Sequence, residues 1–308
     1  MKRSDPTVHS AITQTLPMEV EEAPGFLGDL FILTKARLSL MVVFTTAIGY
    51  LVGSSGGGLG WGLLFAVTGT TLAAASAGAL NQWMEADVDR LMERTRGRPL
   101  PASRMKPRVA LWIGILLGVL GVGELWATVP PAAACLAAIT IAVYLLLYTP
   151  LKRLSAWCTL VGAVSGAIPP VIGWSAAGPK EAWGGWVLFG VLFFWQIPHF
   201  LAIAWMYREE YRSAGFVMIK SDDEDGFLTA LQAFCFALAL ALVTFVPAWI
   251  GQASTLYRGG AVLLNLLFCG SALVFLLERS RVSARRLFFM SIFYLPVLLG
   301  LLAFSRGQ

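Results

Sequence analysis

The sequence predicts an all-helical membrane protein, a polytopic bundle of about nine transmembrane helices. The 308-residue chain is 57% hydrophobic and only 13% charged, with a mean hydropathy of +0.71, whereas soluble domains carry roughly 25% charged residues. Its apolar segments are continuous runs without in–out alternation, which favours helices over a β-barrel. Its basic residues cluster between alternate runs, as a membrane topology requires.

Apolar runs long enough to span a bilayer, about 20 residues each, define the elements in order. They cover residues 30–52, 58–80, 108–126, 130–149, 156–176, 183–205, 229–250, 260–277 and 286–304. Residues 28–304 are therefore expected to form one transmembrane domain. The polar stretch 1–27 lacks the apolar core of a signal peptide and is expected to be a disordered cytoplasmic tail. The Gly-rich stretch 53–60 is interpreted as a flexible turn, because no Lys-Ser/Thr follows it as in a phosphate loop.

The distribution of basic residues gives the orientation. With the amino terminus in the cytoplasm, only Lys180, Arg258 and Arg306 of the 23 Lys and Arg residues fall on the outer side. This asymmetry predicts a cytoplasmic amino terminus and an outer carboxyl terminus. The net charge of +5 thus marks one membrane face, and nothing in the composition indicates nucleic-acid binding.

An unusual set of polar residues follows the second run, in residues 81–101, NQWMEADVDRLMERTRGRPLP. Asn81, Glu85 and Asp89 are spaced four residues apart, which places them on one face of a continued helix. Stacked oxygen donors at this spacing suit Mg²⁺, which binds a few carboxylates together with water and phosphate oxygens. An ordinary inner loop is the alternative, but acidic residues contribute nothing to topology. The motif therefore favours a site for a metal-bound diphosphate.

Arginines come directly after the acidic face. Arg94 and Arg98 are placed to bind diphosphate oxygens through their guanidinium groups, and Pro99 and Pro101 end the helix and turn the chain back. The positive-inside rule alone would also account for these arginines.

The same stretch resembles the first acidic motif of the UbiA superfamily of intramembrane prenyltransferases. Within that superfamily it is most similar to the protohaem IX farnesyltransferase (haem O synthase) family. Glu85 stands at the middle acidic position, as in the haem branch, and an Arg-Thr…Arg-Pro-Leu tail follows at 94–100. The resemblance implies that Asn81, Glu85 and Asp89 are catalytic residues that hold Mg²⁺.

Two further stretches carry the resemblance and add basic residues to the predicted diphosphate site. TKARLSLMVVFTT, residues 34–46, supplies Lys35 and Arg37, with Ala36 where the family usually has proline. YTPLKR, residues 148–153, supplies Lys152 and Arg153. All four could instead be membrane-boundary anchors, an alternative that the residues alone leave open.

WQIPHFLAIAWMYREEYRSAGFVM, residues 195–218, contains His199, the only histidine in the predicted membrane domain. Ionisable side chains inside a span are costly and usually functional. His199 could bind the haem iron, act as an acid, base or hydrogen-bonding group near the reacting vinyl, or be a satisfied core histidine. The resemblance also implies Glu210 as a second metal ligand. It implies that haem contacts His199, Gln196, Tyr148 and Tyr211.

The resemblance implies an enzyme that joins farnesyl diphosphate to haem B, with Mg²⁺ as cofactor, in the bacterial inner membrane and with its site on the cytoplasmic side. Candidate protein partners are haem A synthase and terminal oxidase assembly factors. Prenylation of a quinone or chlorin precursor, a transporter and a haem-binding chaperone are the alternatives. The acidic run 222–225 is interpreted as a solvated loop, because consecutive residues cannot share a helix face.

Overall fold

The computed structural model describes residues 25–54, 60–179, 183–217, 223–250 and 253–305. Within these ranges every regular element is helical. The helices are α1 (Phe26–Leu33), α2 (Ala36–Gly53), α3 (Trp61–Asp89), α4 (Pro107–Thr128), α5 (Pro131–Ala142), a π-helical turn (Val143–Tyr148), α6 (Thr149–Leu151), α7 (Cys158–Ala167), α8 (Pro169–Ala176), α9 (Trp183–Met206), α10 (Arg208–Ser213), α11 (Phe227–Thr244), α12 (Val246–Trp249), α13 (Thr255–Glu278) and α14 (Arg281–Ser305). The predicted tail 1–27 and most of the Gly-rich turn 53–60 lie outside the described residues.

Eight helical segments of the described chain are long and apolar enough to cross a membrane. They are Trp61–Asp89, Pro107–Thr128, Pro131–Leu151, Cys158–Ala176, Trp183–Met206, Phe227–Trp249, Thr255–Glu278 and Arg281–Ser305. These segments correspond to eight of the nine predicted spans. Large apolar side chains such as Trp112, Val119 and Leu266 point outward from them, as lipid-facing residues do. The predicted all-helical membrane bundle is confirmed.

The first predicted span, 30–52, is not one continuous helix. The prediction is wrong here because the chain breaks between α1 and α2. Lys35 adopts a left-handed conformation with φ 51° and ψ 44°. The side-chain Nε2 of Gln82 donates to the carbonyl oxygens of Ile32 (2.6 Å) and Leu33 (2.9 Å). A continuous helix would use these carbonyls for its own i→i+4 bonds. A side chain from α3 therefore ends α1 and lets the backbone turn at Lys35.

Small residues bring α2 close to α8 and α3 close to α4. A Cβ added at Gly49 would collide with the carbonyl of Pro170, and one added at Gly173 would collide with that of Thr46. Gly121 on α4 lies similarly close to the backbone of α3. Close approach through small residues is typical of helices packed in membranes. Both helices α2 and α3 also line the internal cavity described below.

The acidic run 222–225 is predicted to be a solvated loop, but Asp223 within it is only 4% exposed. Its carboxylate accepts hydrogen bonds from the backbone N–H groups of Leu228 (2.9 Å) and Thr229 (2.8 Å) and from the Thr229 hydroxyl. Asp223 thus caps the first turn of α11, a structural role. Asp225 is exposed and forms an ion pair with Arg279.

Candidate functional site: a charged pocket above an apolar tunnel

A cavity of about 480 Å³ runs through the helix bundle. Along α3 its wall extends from Thr70 to Asp89, which is about 28 Å at 1.5 Å per residue. The end nearest Asp89 carries charged side chains, and the remainder is lined mainly by apolar and small residues, with scattered hydroxyl groups. This shape suits an amphiphile with an anionic head and a long apolar tail.

The predicted acidic face lies at the charged end of the cavity. Asn81, Glu85 and Asp89 are 0%, 4% and 2% exposed, and all three line the cavity. Each is held by a different cationic side chain. Lys35 Nζ donates to Asn81 Oδ1 (2.6 Å), Lys152 Nζ to Glu85 Oε1 (2.8 Å) and Arg98 to Asp89 Oδ2 (2.6 Å).

Lys152 is placed by the chain that follows the π-helical turn. Its Nζ contacts both carboxylate oxygens of Glu85 (2.8 and 3.0 Å) and lies 4.7 Å from the centroid of the Tyr148 ring. Burial opposes the charged form of this amine, but the Tyr148 and Glu85 side chains more than offset that effect and raise the pKa of Lys152 above its ordinary value. Lys152 therefore stays cationic while buried.

The loop after α3 folds back over the acidic face. The hydroxyl of Thr95 donates to the backbone carbonyl of Asp89 (2.9 Å), which brings Arg98 within reach of the Asp89 carboxylate. Arg94 donates to the hydroxyl of Tyr211 at 3.3 Å and lies 5.9 Å from the centroid of its ring. Arg94, Arg98 and Tyr211 all line the cavity, so this loop lies over its charged end.

Tyr144 is a site residue that the sequence reasoning missed. Its hydroxyl accepts a hydrogen bond from Lys35 Nζ at 3.3 Å, while Thr149 Oγ1 accepts one from Asn81 Nδ2 at 3.0 Å. Tyr144 belongs to the π turn and Thr149 follows it directly. Such turns are often found at functional sites. Pro150 has no N–H for the normal helical bond, and the π turn directly precedes it. Tyr144 and Tyr148 in an otherwise apolar run were the available signal.

His199 lies deeper in the cavity, on the proline-containing helix α9. Its imidazole is stacked between Trp195 and Phe288, with ring centroids 5.1 and 5.0 Å away. His199 Nδ1 lies 2.7 Å from Ser291 Oγ, a partner on α14 that no local pattern indicated. Gln196, one turn earlier, donates through Nε2 to the carbonyl of Leu192 at 3.1 Å. Both predicted haem contacts of α9 thus line the cavity.

Two predicted residues are not brought to the cavity, and a third cannot be placed relative to it. Arg153 is exposed and is not among the residues that line it. Glu210, on α10, also lies outside the cavity lining, and its Oε2 is buried without a hydrogen-bond partner. The side chain of Arg37 lies outside the described residues.

The donor chemistry of the acidic face fits Mg²⁺. Glu85 and Asp89 are buried carboxylates that open onto the cavity, and such hard oxygen donors are the ligands that Mg²⁺ takes alongside phosphate and water. Across the described part of the chain, no three His, Cys, Asp or Glu side chains cluster as a metal site. A Mg²⁺ ion here would accordingly draw most of its ligands from a bound diphosphate and water.

Fold and site together define a membrane-embedded enzyme that handles amphiphilic diphosphates. Residues 42–293 match the UbiA prenyltransferase family, and the chain belongs to that family.

Relatives with high sequence identity show which branch of the family the chain resembles. The chain is 43% identical over 288 residues to "Protoheme IX farnesyltransferase" of Solibacter usitatus, covering 90% of this chain and 98% of the relative. It is 43% identical over 283 residues to the protein of the same name from Opitutus terrae, covering 91% and 95%. The resemblance stated from the motifs is confirmed.

Solved structures with low sequence identity share the fold. A digeranylgeranylglyceryl phosphate synthase superposes with a TM-score of 0.77 at 15% identity, covering 92% of this chain and 99% of that one. A UbiA homolog from Archaeoglobus fulgidus bound to GPP and Mg²⁺ superposes with a TM-score of 0.62 at 13% identity, covering 91% and 100%.

Proposed function

We propose that the chain transfers the farnesyl group of farnesyl diphosphate to a vinyl group of haem B, giving haem O and diphosphate. The observation that carries this proposal is the arrangement of one cavity. Paired cations and carboxylates form its inner end, and an apolar tunnel continues from them past His199. The curated relatives bear the name of this activity.

The charged end would bind the diphosphate. Glu85 and Asp89, with Asn81 beside them, would hold Mg²⁺, which when bound supplies positive charge for the leaving diphosphate. Four cationic side chains of the chain itself face the same space. They are Lys35, Arg94, Arg98 and Lys152. Preorganised cations that stabilise a developing negative charge are usually the largest contribution to such a reaction.

The apolar part of the cavity would hold the isoprenoid and keep water from the developing allylic cation. Ala73, Ala77 and Ile141 line it on one side, and Leu192 and Phe200 on the other. Exclusion of water matters because water would otherwise capture the cation before the haem vinyl group attacks it.

We place the site on the cytoplasmic side of a bacterial inner membrane, with the amino terminus inside and the carboxyl terminus outside. The placement of basic residues supports this orientation. Haem A synthase and terminal oxidase assembly factors remain the proposed protein partners, since these would receive a farnesylated haem.

The test mixes the purified protein in lipid with haem B, farnesyl diphosphate and Mg²⁺, followed by haem extraction and mass analysis. Farnesylated haem is expected with the wild type. It should disappear on removal of Mg²⁺ and in Asp89→Asn. Haem that is bound but unmodified in every sample, with folded protein throughout, would instead support a haem-binding chaperone.

A further inference from the structure

The imidazole of His199 is enclosed on three sides by protein. Trp195 stacks on one face with an interplanar angle of 20°, and Phe288 stacks on the other at 27°. Ser291 Oγ occupies the Nδ1 edge at 2.7 Å, and the backbone carbonyl of Ser291 accepts a hydrogen bond from Trp195 Nε1 at 2.8 Å. The ring is therefore fixed in orientation, and only its Nε2 edge remains to face the cavity that His199 lines.

The Ser291 hydroxyl also determines which nitrogen of His199 carries the proton. Ser291 Oγ lies 2.5 Å from the carbonyl oxygen of Phe288. Two oxygens so close require a proton between them, and a serine hydroxyl has only one to give. Ser291 thus donates to Phe288 and accepts from His199 Nδ1–H. The neutral ring then bears its lone pair on Nε2.

We infer that Ser291 is a positioning residue that holds His199 as the Nδ1–H tautomer, with its Nε2 lone pair directed into the cavity as a ligand for the iron of the haem substrate. Neutral imidazole nitrogens are common ligands of haem iron. Histidine ligands of metals almost always donate their other N–H to a fixed acceptor. The inference rests on the proposed function, since that function makes haem the substrate.

The tautomer can be measured without any substrate. The chain has two histidines, His9 and His199, so a His9→Gln variant labelled with ¹⁵N-histidine reports on His199 alone. Solid-state ¹⁵N NMR of this protein in bilayers should show an unprotonated Nε2 and a protonated Nδ1. Adding Ser291→Ala should raise the population of the Nε2–H form. An Nε2–H form in the parent protein, or no change on Ser291→Ala, would overturn the inference.

Haem binding gives the second readout. Ferric haem B is titrated into the protein without farnesyl diphosphate, and its Soret band reports ligation. Ser291→Ala is expected to weaken binding about tenfold, the lower end of the effect seen when a partner of a metal ligand is removed. Ser291→Thr, which keeps a hydroxyl, should stay closer to the wild type than Ser291→Ala does. His199→Ala should abolish the Soret shift.

A matched control separates positioning from packing. Ser283 is also fully buried on α14. Its hydroxyl bonds to Ser280, at the start of that helix: to its N–H (3.2 Å), its Oγ (3.0 Å) and its carbonyl (3.1 Å). Ser283→Ala should leave both the tautomer and the Soret shift unchanged. If the wild type makes no farnesylated haem, the proposed function fails. If it does, but Ser291→Ala binds haem like the wild type and keeps its tautomer, only the inference about Ser291 fails.

Discussion

Two of the buried polar clusters in this bundle differ in charge and in whether they face the cavity. In the C-terminal helices, Tyr294 donates to Asn265 (2.6 Å), Asn265 donates to the Thr244 hydroxyl (2.9 Å), and Tyr257 donates to the Thr244 carbonyl (2.7 Å). This network is neutral, and none of its members lines the large cavity. The group around Asn81, Glu85 and Asp89 is ionic and lines the cavity wall.

This difference separates polar side chains that stabilise the fold from polar side chains that are available to a ligand. A closed neutral network satisfies its own hydrogen bonds and fixes how α11, α13 and α14 pack. Buried ion pairs contribute little net stability, because desolvation offsets their attraction. Charges retained at such a cost, and facing a cavity, are expected to serve a ligand. The first group should therefore affect stability when altered, and the second should affect activity.

The largest effect is expected from Glu85→Gln. This change removes the partner of Lys152 and one proposed Mg²⁺ ligand, so we expect kcat/KM to fall by about 100-fold or more. Asp225→Asn, which alters an exposed ion pair with Arg279, is the control and should keep wild-type activity. Farnesylation rates in lipid measure both. Full activity in Glu85→Gln would contradict a catalytic role for the acidic face.

Asn265→Leu should lower stability and leave activity nearly unchanged, the opposite of Glu85→Gln. It leaves the hydroxyl of Tyr294 without its acceptor and removes the donor to the Thr244 hydroxyl. This loss is expected to lower the free energy of unfolding by about 1–3 kcal/mol. Activity per folded molecule should stay within about twofold. Denaturant unfolding followed by tryptophan fluorescence measures the first quantity. Leu266→Ala, at an outward-facing position of the same helix, is the comparison, and an equal loss of stability there would refute the distinction.

A smaller effect is expected on the pH dependence of the free energy of unfolding, through Lys152. Its pKa is raised in the folded protein, so its contribution to stability is fully present below the unfolded lysine pKa of about 10.4 and declines as pH rises beyond it. The comparison variant is Glu85→Gln/Lys152→Met, which removes both members of the pair and leaves no unpaired buried carboxylate. The difference in unfolding free energy between wild type and this double variant should be constant from about pH 6 to 9 and change only above that range. A change near pH 7 would mean that Lys152 is not held as a cation.

The smallest effect on kcat/KM is expected at Arg153, the residue that follows Lys152. Arg153 is exposed and outside the cavity lining, so Arg153→Gln should change kcat/KM by less than about threefold. Lys152→Gln, one position earlier, should lower it as strongly as Glu85→Gln does. Similar losses in both variants would place Arg153 in the diphosphate site after all.

The elements of the site that follow helical periodicity could be predicted from the sequence. Asn81, Glu85 and Asp89 share a face because α3 continues beyond the apolar run. The break at Lys35 could not be predicted, because it depends on Gln82 reaching the end of α1 from another helix. Ser291 was missed for the same reason, since it meets His199 across 92 residues of chain. Arg153 and Lys152 look equivalent in sequence, and only the fold separates them.

The resting site already contains its counterions, and this changes what loading it involves. Lys152 and Arg98 neutralise Glu85 and Asp89 before any substrate arrives, so neither of these buried carboxylates lacks a counterion. Under the proposed function, Mg²⁺ and diphosphate enter as a pair of opposite charges and take over these partners. Loading is thus an ion exchange, in which the cations move from carboxylate to phosphate with little change in the net charge held within the membrane.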